Sequence, residues 1–149
     1  PLGALMLGSD GLLYGTTNTG GTYNLGTVFR VSTGGTATTL ASFYGNGNFG
    51  SSGQNPQSNL VQAGDGNFYG MTNTGGTNNN GCIFRITSEG VLTTLVSFTN
   101  TSGPTLGNNP ITGLTLGADG ALFILTATSP GTFSGAMNQS AVPSALAMT

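Results

Sequence analysis

Residues 10–43 read D-G-L-L-Y-G-T-T-N-T-G-G-T-Y-N-L-G-T-V-F-R-V-S-T-G-G-T-A-T-T-L-A-S-F, and the pattern returns at residues 65–98. In register, Asp10, Gly11, Tyr14, Gly15, Thr17, Asn18, Thr19, Gly20, Gly21 and Thr22 recur 55 positions later as Asp65, Gly66, Tyr69, Gly70, Thr72, Asn73, Thr74, Gly75, Gly76 and Thr77. Phe29-Arg30 returns as Phe84-Arg85, and Thr38-Thr39-Leu40 returns as Thr93-Thr94-Leu95. A repeat of this length describes an array of small units, each of which buries its apolar face against a neighbour because it cannot do so alone.

Within the unit the period is two, with no sustained period of 3.6, so the fold class is all-β. Short runs rich in Thr, Val, Ile, Phe and Tyr stand between Gly, Asn and Asp clusters, the pattern of strands and tight turns. Working outward from Asp10-Gly11, a hairpin signal, the expected strands are Ala4–Leu7, Leu12–Thr17, Thr27–Ser32 and Thr36–Phe43. In the third of these, Thr27, Phe29 and Val31 share one face and Val28, Arg30 and Ser32 the other. Four antiparallel strands joined by short turns form a meander resembling one β-propeller blade.

The second unit predicts Leu60–Gln62, Asn67–Thr72, Cys82–Thr87 and Val91–Phe98, with residues 44–55 and 99–109 as connectors. A third unit starts at Pro110 with Leu114-Thr115-Leu116, a turn at Ala118-Asp119-Gly120 and a strand at Ala121–Thr126. Here Ile124 and Leu125 replace the Gly and polar or Met residues of the earlier copies, and the strand is apolar on both faces, which calls for cover on both sides. The expected organisation is one repeat domain over residues 1–126, with units at 1–55, 56–109 and an incomplete 110–126. Residues 127–149 are expected to be a tail, available as an inter-subunit strand. About two and a half units are too few for a ring within one chain, since propellers have roughly 4–8 blades.

As a set, the motifs D-G-x-x-Y-G-x-T, G-G-T, G-x-x-F-R and T-T-L-x-S-F resemble the bacterial tandem repeat family called GloVer, over about residues 1–126. The resemblance implies a secreted or surface-anchored protein with propeller-like repeats, and it carries over no catalytic residue. This chain departs from the family pattern in its few units, its altered third copy and the lack of an evident anchor.

Composition narrows the function further. Charged residues make up 4% of the 149, with two Lys+Arg and four Asp+Glu, and His and Trp are absent. Two cations cannot neutralise a phosphate backbone, so nucleic acid is not an expected partner. No run approaches the roughly 18 apolar residues of a spanning helix, so no membrane insertion is expected. A surface with so little charge offers little repulsion between copies and favours an assembling or glycan-covered protein.

Candidate chemistry is sparse. Asp10, Asp65 and Asp119 each precede Gly in an expected turn, where Asp accepts local backbone hydrogen bonds; this reading is preferred to Ca²⁺, which gathers several oxygen ligands. Glu89 is the other acid and also stands in a turn, so no carboxylate pair converges as a glycosidase requires. Arg30 and Arg85 are expected to pair with the turn Asp or to stack on Tyr14 and Tyr69, with sugar or anion binding as the alternative. Without His there is no Ser-His-Asp or Cys-His device. Cys82, the single cysteine, shares a face with Phe84 and Ile86 and is expected to be an inert buried thiol. The paired glycines lack a Lys and a following helix, so they read as turns instead of phosphate cradles. Tyr14, Tyr69 and Phe123 share one repeat position, expected to be packing, with a sugar-stacking row as the alternative. Asn100-Thr101-Ser102 and Asn138-Gln139-Ser140 are acceptor motifs for N-glycosylation. No catalytic, cofactor or metal residue is expected.

The leading expectation is an extracellular structural protein, self-assembling through strand edges into a filament or surface array. Its partners would be copies of itself, with bound or covalent glycans as a further possibility. The residues expected at the contacts are Leu5 and Leu7 at one end, and Leu122, Phe123, Ile124 and Leu125 as an acceptor strand. Val142 and Leu146, within Ala141–Met148, would belong to a donor strand. The alternative is a carbohydrate-binding propeller-like module of a larger surface protein.

Overall fold

The computed structural model describes residues 3–47, 50–98, 113–117, 122–125 and 134–137. Among these there is no helix, and every regular element is a strand. The first sheet runs in chain order, β1 (Met6–Leu7), β2 (Leu13–Thr17), β3 (Thr27–Val31) and β4 (Ala37–Ser42), each antiparallel to the next. A small hairpin, β5 (Asn46–Gly47) with β6 (Gly50–Ser51), lies in the connector. The second sheet holds β7 (Gln54–Pro56), β8 (Val61–Gln62), β9 (Phe68–Thr74), β10 (Cys82–Ile86) and β11 (Leu92–Ser97) in the order β11-β10-β9-β7, with β8 also on β9. The third is β12 (Leu114–Leu116), β13 (Leu122–Leu125) and β14 (Ser134–Met137). None of these sheets is closed into a ring.

Local sequence explains the turns. Gly8 N–H donates to Leu12 O at 2.8 Å and Gly11 N–H to Gly8 O at 3.0 Å, enclosing Ser9, Asp10 and Gly11 as a three-residue loop. Gly11 has φ of 80°, the left-handed position this hairpin type reserves for glycine. Ala63–Asn67 repeats the geometry, with Gly66 also at 80°. One irregularity recurs too. The pairing of β3 with β4 shifts between Val28 and Phe29, and that of β10 with β11 shifts between Ile83 and Phe84. Leu40 and Leu95 are thereby the extra residues of matching bulges, which increase the local twist.

Three elements differ from the sequence expectation. Residues 44–55 are not a featureless connector, since they contain the β5–β6 hairpin and most of β7. Gln54-Asn55-Pro56 has no strand signature, but proline is tolerated at a sheet edge, and pairing with Thr72 and Thr74 holds it there. The third difference is β14, within the stretch read as a tail. Ser-Gly-Ala-Met contains no β-branched or aromatic residue, so propensity is silent; the ladder to β13 makes the strand. The third unit therefore has a third strand, corresponding to β3 and β10.

The sheets pack face on face. Tyr14, Val28 and Phe43 of the first unit form one core with Leu60, Phe68, Phe84 and Ile86 of the second. Tyr69, Met71, Ile83, Val96 and Phe98, from the opposite face of the second sheet, form another core with Ala63 and Leu114 of the third unit. Alternation along β9 and β10 is what divides these residues between two neighbours.

Candidate functional site at the joints between units

The recurring polar residues gather at the joints, where each unit meets the next. In the first unit Tyr14 Oη donates to Asp10 Oδ2 at 2.7 Å, while Asp10 Oδ1 accepts from Leu12 N–H at 3.1 Å. In the second, Tyr69 Oη donates to Asp65 Oδ2 at 2.6 Å, and Asp65 Oδ1 accepts from Asn67 N–H at 3.0 Å. Across the ladder Tyr14 faces Arg30 and Tyr69 faces Arg85, so each site is an Asp–Tyr–Arg cluster built on a hairpin and its neighbouring strand.

The electrostatics follow from this arrangement. The hydrogen bond from Tyr14 is the main reason the Asp10 carboxyl is held below the usual carboxylate range, with Leu12 N–H and the Arg30 charge acting in the same sense. For Asp65, partial burial acts to raise the value, and hydrogen bonds from Tyr69 and Asn67 outweigh it, leaving the carboxyl lowered. Burial, then the bond to the neighbouring Asp, pushes both tyrosine hydroxyls up. The same hydrogen bond favours ionised Asp and neutral Tyr, which makes it a stable clasp and a poor acid–base device at neutral pH.

Each clasp aims its ring at the next unit. Tyr14 stacks on Phe68 with centroids 4.0 Å apart, and Phe43 meets Phe84 edge-on at 5.0 Å. Both tyrosines are fully buried. Sugar stacking on Tyr14 and Tyr69 is therefore corrected, because their rings are already covered by protein; the Phe123 side chain lies outside what the structure describes. β7, which belongs to the second sheet, ties the same joint, with Asn55 N–H donating to Leu25 O at 2.8 Å and Asn55 Nδ2 to Asn18 O at 3.0 Å. Ala4 N–H donates to Asn59 Oδ1 and Ser9 N–H to Gln62 Oε1, again joining first unit to second.

The chemistry otherwise open to these residues is limited. Among the described residues no group of three or more His, Cys, Asp and Glu gathers to hold a metal ion. Cys82 is fully buried, 3.2 Å from Thr72 Oγ1, and burial pushes its thiol up, which suits an inert packing residue. The charges of Arg30 and Arg85 act on the Asp of their own unit, and Arg85 Nε is buried without a hydrogen-bond partner among the described residues.

The residues expected at subunit contacts divide in two. Leu5 and Leu7 are exposed on the first sheet. Leu122, Phe123, Ile124 and Leu125 form β13, which is paired to β12 on one edge and β14 on the other. That is a correction to its reading as an acceptor strand, because both rows of backbone groups are taken within the chain. Asp119, Val142, Leu146, Asn100 and Asn138 lie outside the described residues.

Strand order, clasp and joint together make one repeating design. The family model for the Gloeobacter/Verrucomicrobia repeat matches residues 1–142. The chain belongs to this repeat family. The match runs beyond Thr126 and takes in β14, in agreement with a third unit that continues past its second strand. No curated protein matches the chain. Sequence reasoning missed the Asp–Tyr bond, although D-x-x-x-Y recurs at fixed spacing across a turn. It missed the Gly–Phe pairing as well: a Cβ on Gly15 would lie 2.8 Å from Phe29 Cζ, and one on Gly70 would lie 2.5 Å from Phe84 Cζ. The ring of one strand covers the glycine of the next.

Proposed function

We propose that this chain is a structural module of a bacterial extracellular surface, self-assembling with copies of itself into an extended array. The observation that carries the proposal is the pair Leu5 and Leu7, 50% and 67% exposed on a sheet face, in a chain with only 4% charged residues. Large apolar side chains side by side on a nearly uncharged surface favour association. The repeated Asp and Tyr side chains support a role in architecture, because they are bonded to one another and the Tyr rings are buried at the joint. Both edges of β13 are paired within the chain, so this reading joins copies by sheet faces in place of donated strands. The role is non-catalytic, and the place of action is the cell exterior.

Light scattering and negative-stain microscopy of the purified chain test assembly. Growth of mass with concentration and regular particles are expected. A single 14.8 kDa species at every concentration would overturn the reading. Antibody labelling of intact cells tests the location, and labelling only after lysis would refute it.

A further inference from the structure

The first two sheets present equivalent faces in different circumstances. On the second sheet, the face carrying Leu60, Phe68, Phe84 and Ile86 is covered by the first unit, and all four side chains are buried. On the first sheet the repeat equivalents are Leu5, Leu13, Phe29 and Val31. The local construction is the same: Leu5 and Phe29 lie over Gly15 as Leu60 and Phe84 lie over Gly70. Yet Leu5 is 50% exposed where Leu60 is 2% exposed, and Leu13, Phe29 and Val31 are only half-buried. Leu7 opposite Leu13, and Ala37 opposite Val31, extend this face across the sheet. Beside Phe29 it sinks into a groove of about 300 Å³, lined also by Thr17, Thr27, Ala37, Thr38 and Thr39.

The internal joint shows what such a face accepts. On the second sheet it receives Tyr14 and Phe43, projecting from the opposite face of the preceding unit. The face therefore fits another repeat unit in the same orientation. In the third unit, β13 places Phe123 opposite Ala136 in the ladder, at the register position held by Tyr14 opposite Arg30 and Tyr69 opposite Arg85. That unit packs against the opposite face of the second sheet through Leu114.

Resting on the self-assembly proposed above, we infer that the Leu5–Leu7–Phe29 face of the first unit seats the third unit of a second copy of this chain, head to tail. The contact continues the joint already made inside the chain, with a second molecule covering the face that stands exposed among the described residues. A head-to-tail contact either closes or runs on as a fibre. Closure at two copies would bring six units around one axis, within the roughly 4–8 of known propellers.

The test uses the full chain with Leu7→Lys/Thr39→Lys, both exposed positions on the face, and Val91→Lys as a control on another exposed position. Circular dichroism and thermal melting confirm folding of each. The expected result is at least a tenfold rise in the concentration needed for association in the double variant and no change in Val91→Lys. Unchanged association of a folded double variant would overturn the face while leaving self-assembly standing. A wild-type chain that stays monomeric would overturn both, and would leave the face to a further repeat in the same chain. A benzoylphenylalanine photocrosslinker at Ala37, which pairs with Val31 on this face and is exposed, used with isotopically mixed copies, identifies the partner surface. Interchain adducts within residues 113–137 are expected; adducts confined to the first unit would refute the head-to-tail arrangement. A closed dimer with the expected adducts would support the contact and overturn the extended array.

Discussion

The ring of Tyr14 lies stacked on that of Phe68, centroids 4.0 Å apart and planes 27° from parallel, across the joint between the first two units. Tyr14 is held from behind by Asp10 and Phe68 belongs to the next hairpin, so this pair converts a turn motif into an inter-unit contact. Offset aromatic pairs contribute about 0.5–1.5 kcal/mol beyond their buried area.

Phe68→Ala should therefore destabilise the chain by about 3–5 kcal/mol, the range for truncating a buried phenylalanine. Tyr14→Phe keeps the stack and removes the bond to Asp10, and should cost about 1 kcal/mol. Urea unfolding followed by tyrosine fluorescence measures both. Equal losses would show that the joint depends on the hydrogen bond as much as on the stack.

The clasps give stability a defined pH window. Asp10 and Asp65 are lowered in the folded chain, so their contribution is present above the unfolded value of about 3.9 and is lost as pH falls through the folded values. Tyr14 and Tyr69 are raised, so their contribution is present below the unfolded value of about 10 and is lost as pH rises beyond it. Thermal melts should show a plateau between roughly pH 5 and 9 with losses on both sides. Asp65→Asn should lower the plateau and flatten the acid limb; an unchanged acid limb, with Asp10 intact, would assign the acid loss elsewhere.

Two glycines separate packing from backbone freedom. A Cβ at Gly70 meets the Phe84 ring at 2.5 Å and Leu60 Cδ2 at 2.9 Å, whereas one at Gly113 meets nothing within 4 Å. Gly70→Ala should cost about 1–3 kcal/mol, the typical effect of overpacking, and Gly113→Ala should lie within about 0.5 kcal/mol of wild type, as for unremarkable surface changes. Chemical denaturation compares them. A neutral Gly70→Ala would mean that the ring swings away freely.

Cys82 offers a probe of the second sheet. Its side chain is fully buried and its thiol is pushed up by burial, so the native chain should react with an aromatic disulfide reagent at least a hundredfold more slowly than the chain in denaturant. Rapid native labelling would show that the joint beneath Gly53, whose Cβ would lie 2.5 Å from Cys82 Sγ, opens readily.

Much of this architecture was legible because it was written twice. Recurrence of D-G-x-x-Y-G-x-T and F-R located the strands within a residue or two, and period-two alternation separated the Phe29 face from the Val28 face. The third unit was harder. There the hairpin linking the second and third strands is shorter: Tyr14 and Tyr69 face residues sixteen positions on, Phe123 one only thirteen positions on. The bulk is exchanged across the ladder as well. Gly15 faces Phe29 and Gly70 faces Phe84, but Ile124 faces Gly135. A pattern that looks for Phe-Arg finds nothing in Ser134–Met137, because the large residue has moved to the partner strand. Counted on from that register, Leu146-Ala147 stands in sequence where Leu40-Ala41 and Leu95-Val96 stand.

By itself the sequence determined the all-β class, the unit length, the turns at Asp-Gly and the inward role of Cys82, since each depends on local periodicity and turn chemistry. Only the tertiary structure decided that Tyr14 reaches Asp10 on one side and Phe68 on the other, and that β13 has both edges filled. It alone distinguished Leu5 from Leu60. These two leucines occupy the same place in the repeat, and burial depends on whether a neighbouring unit covers that place, which no local pattern records.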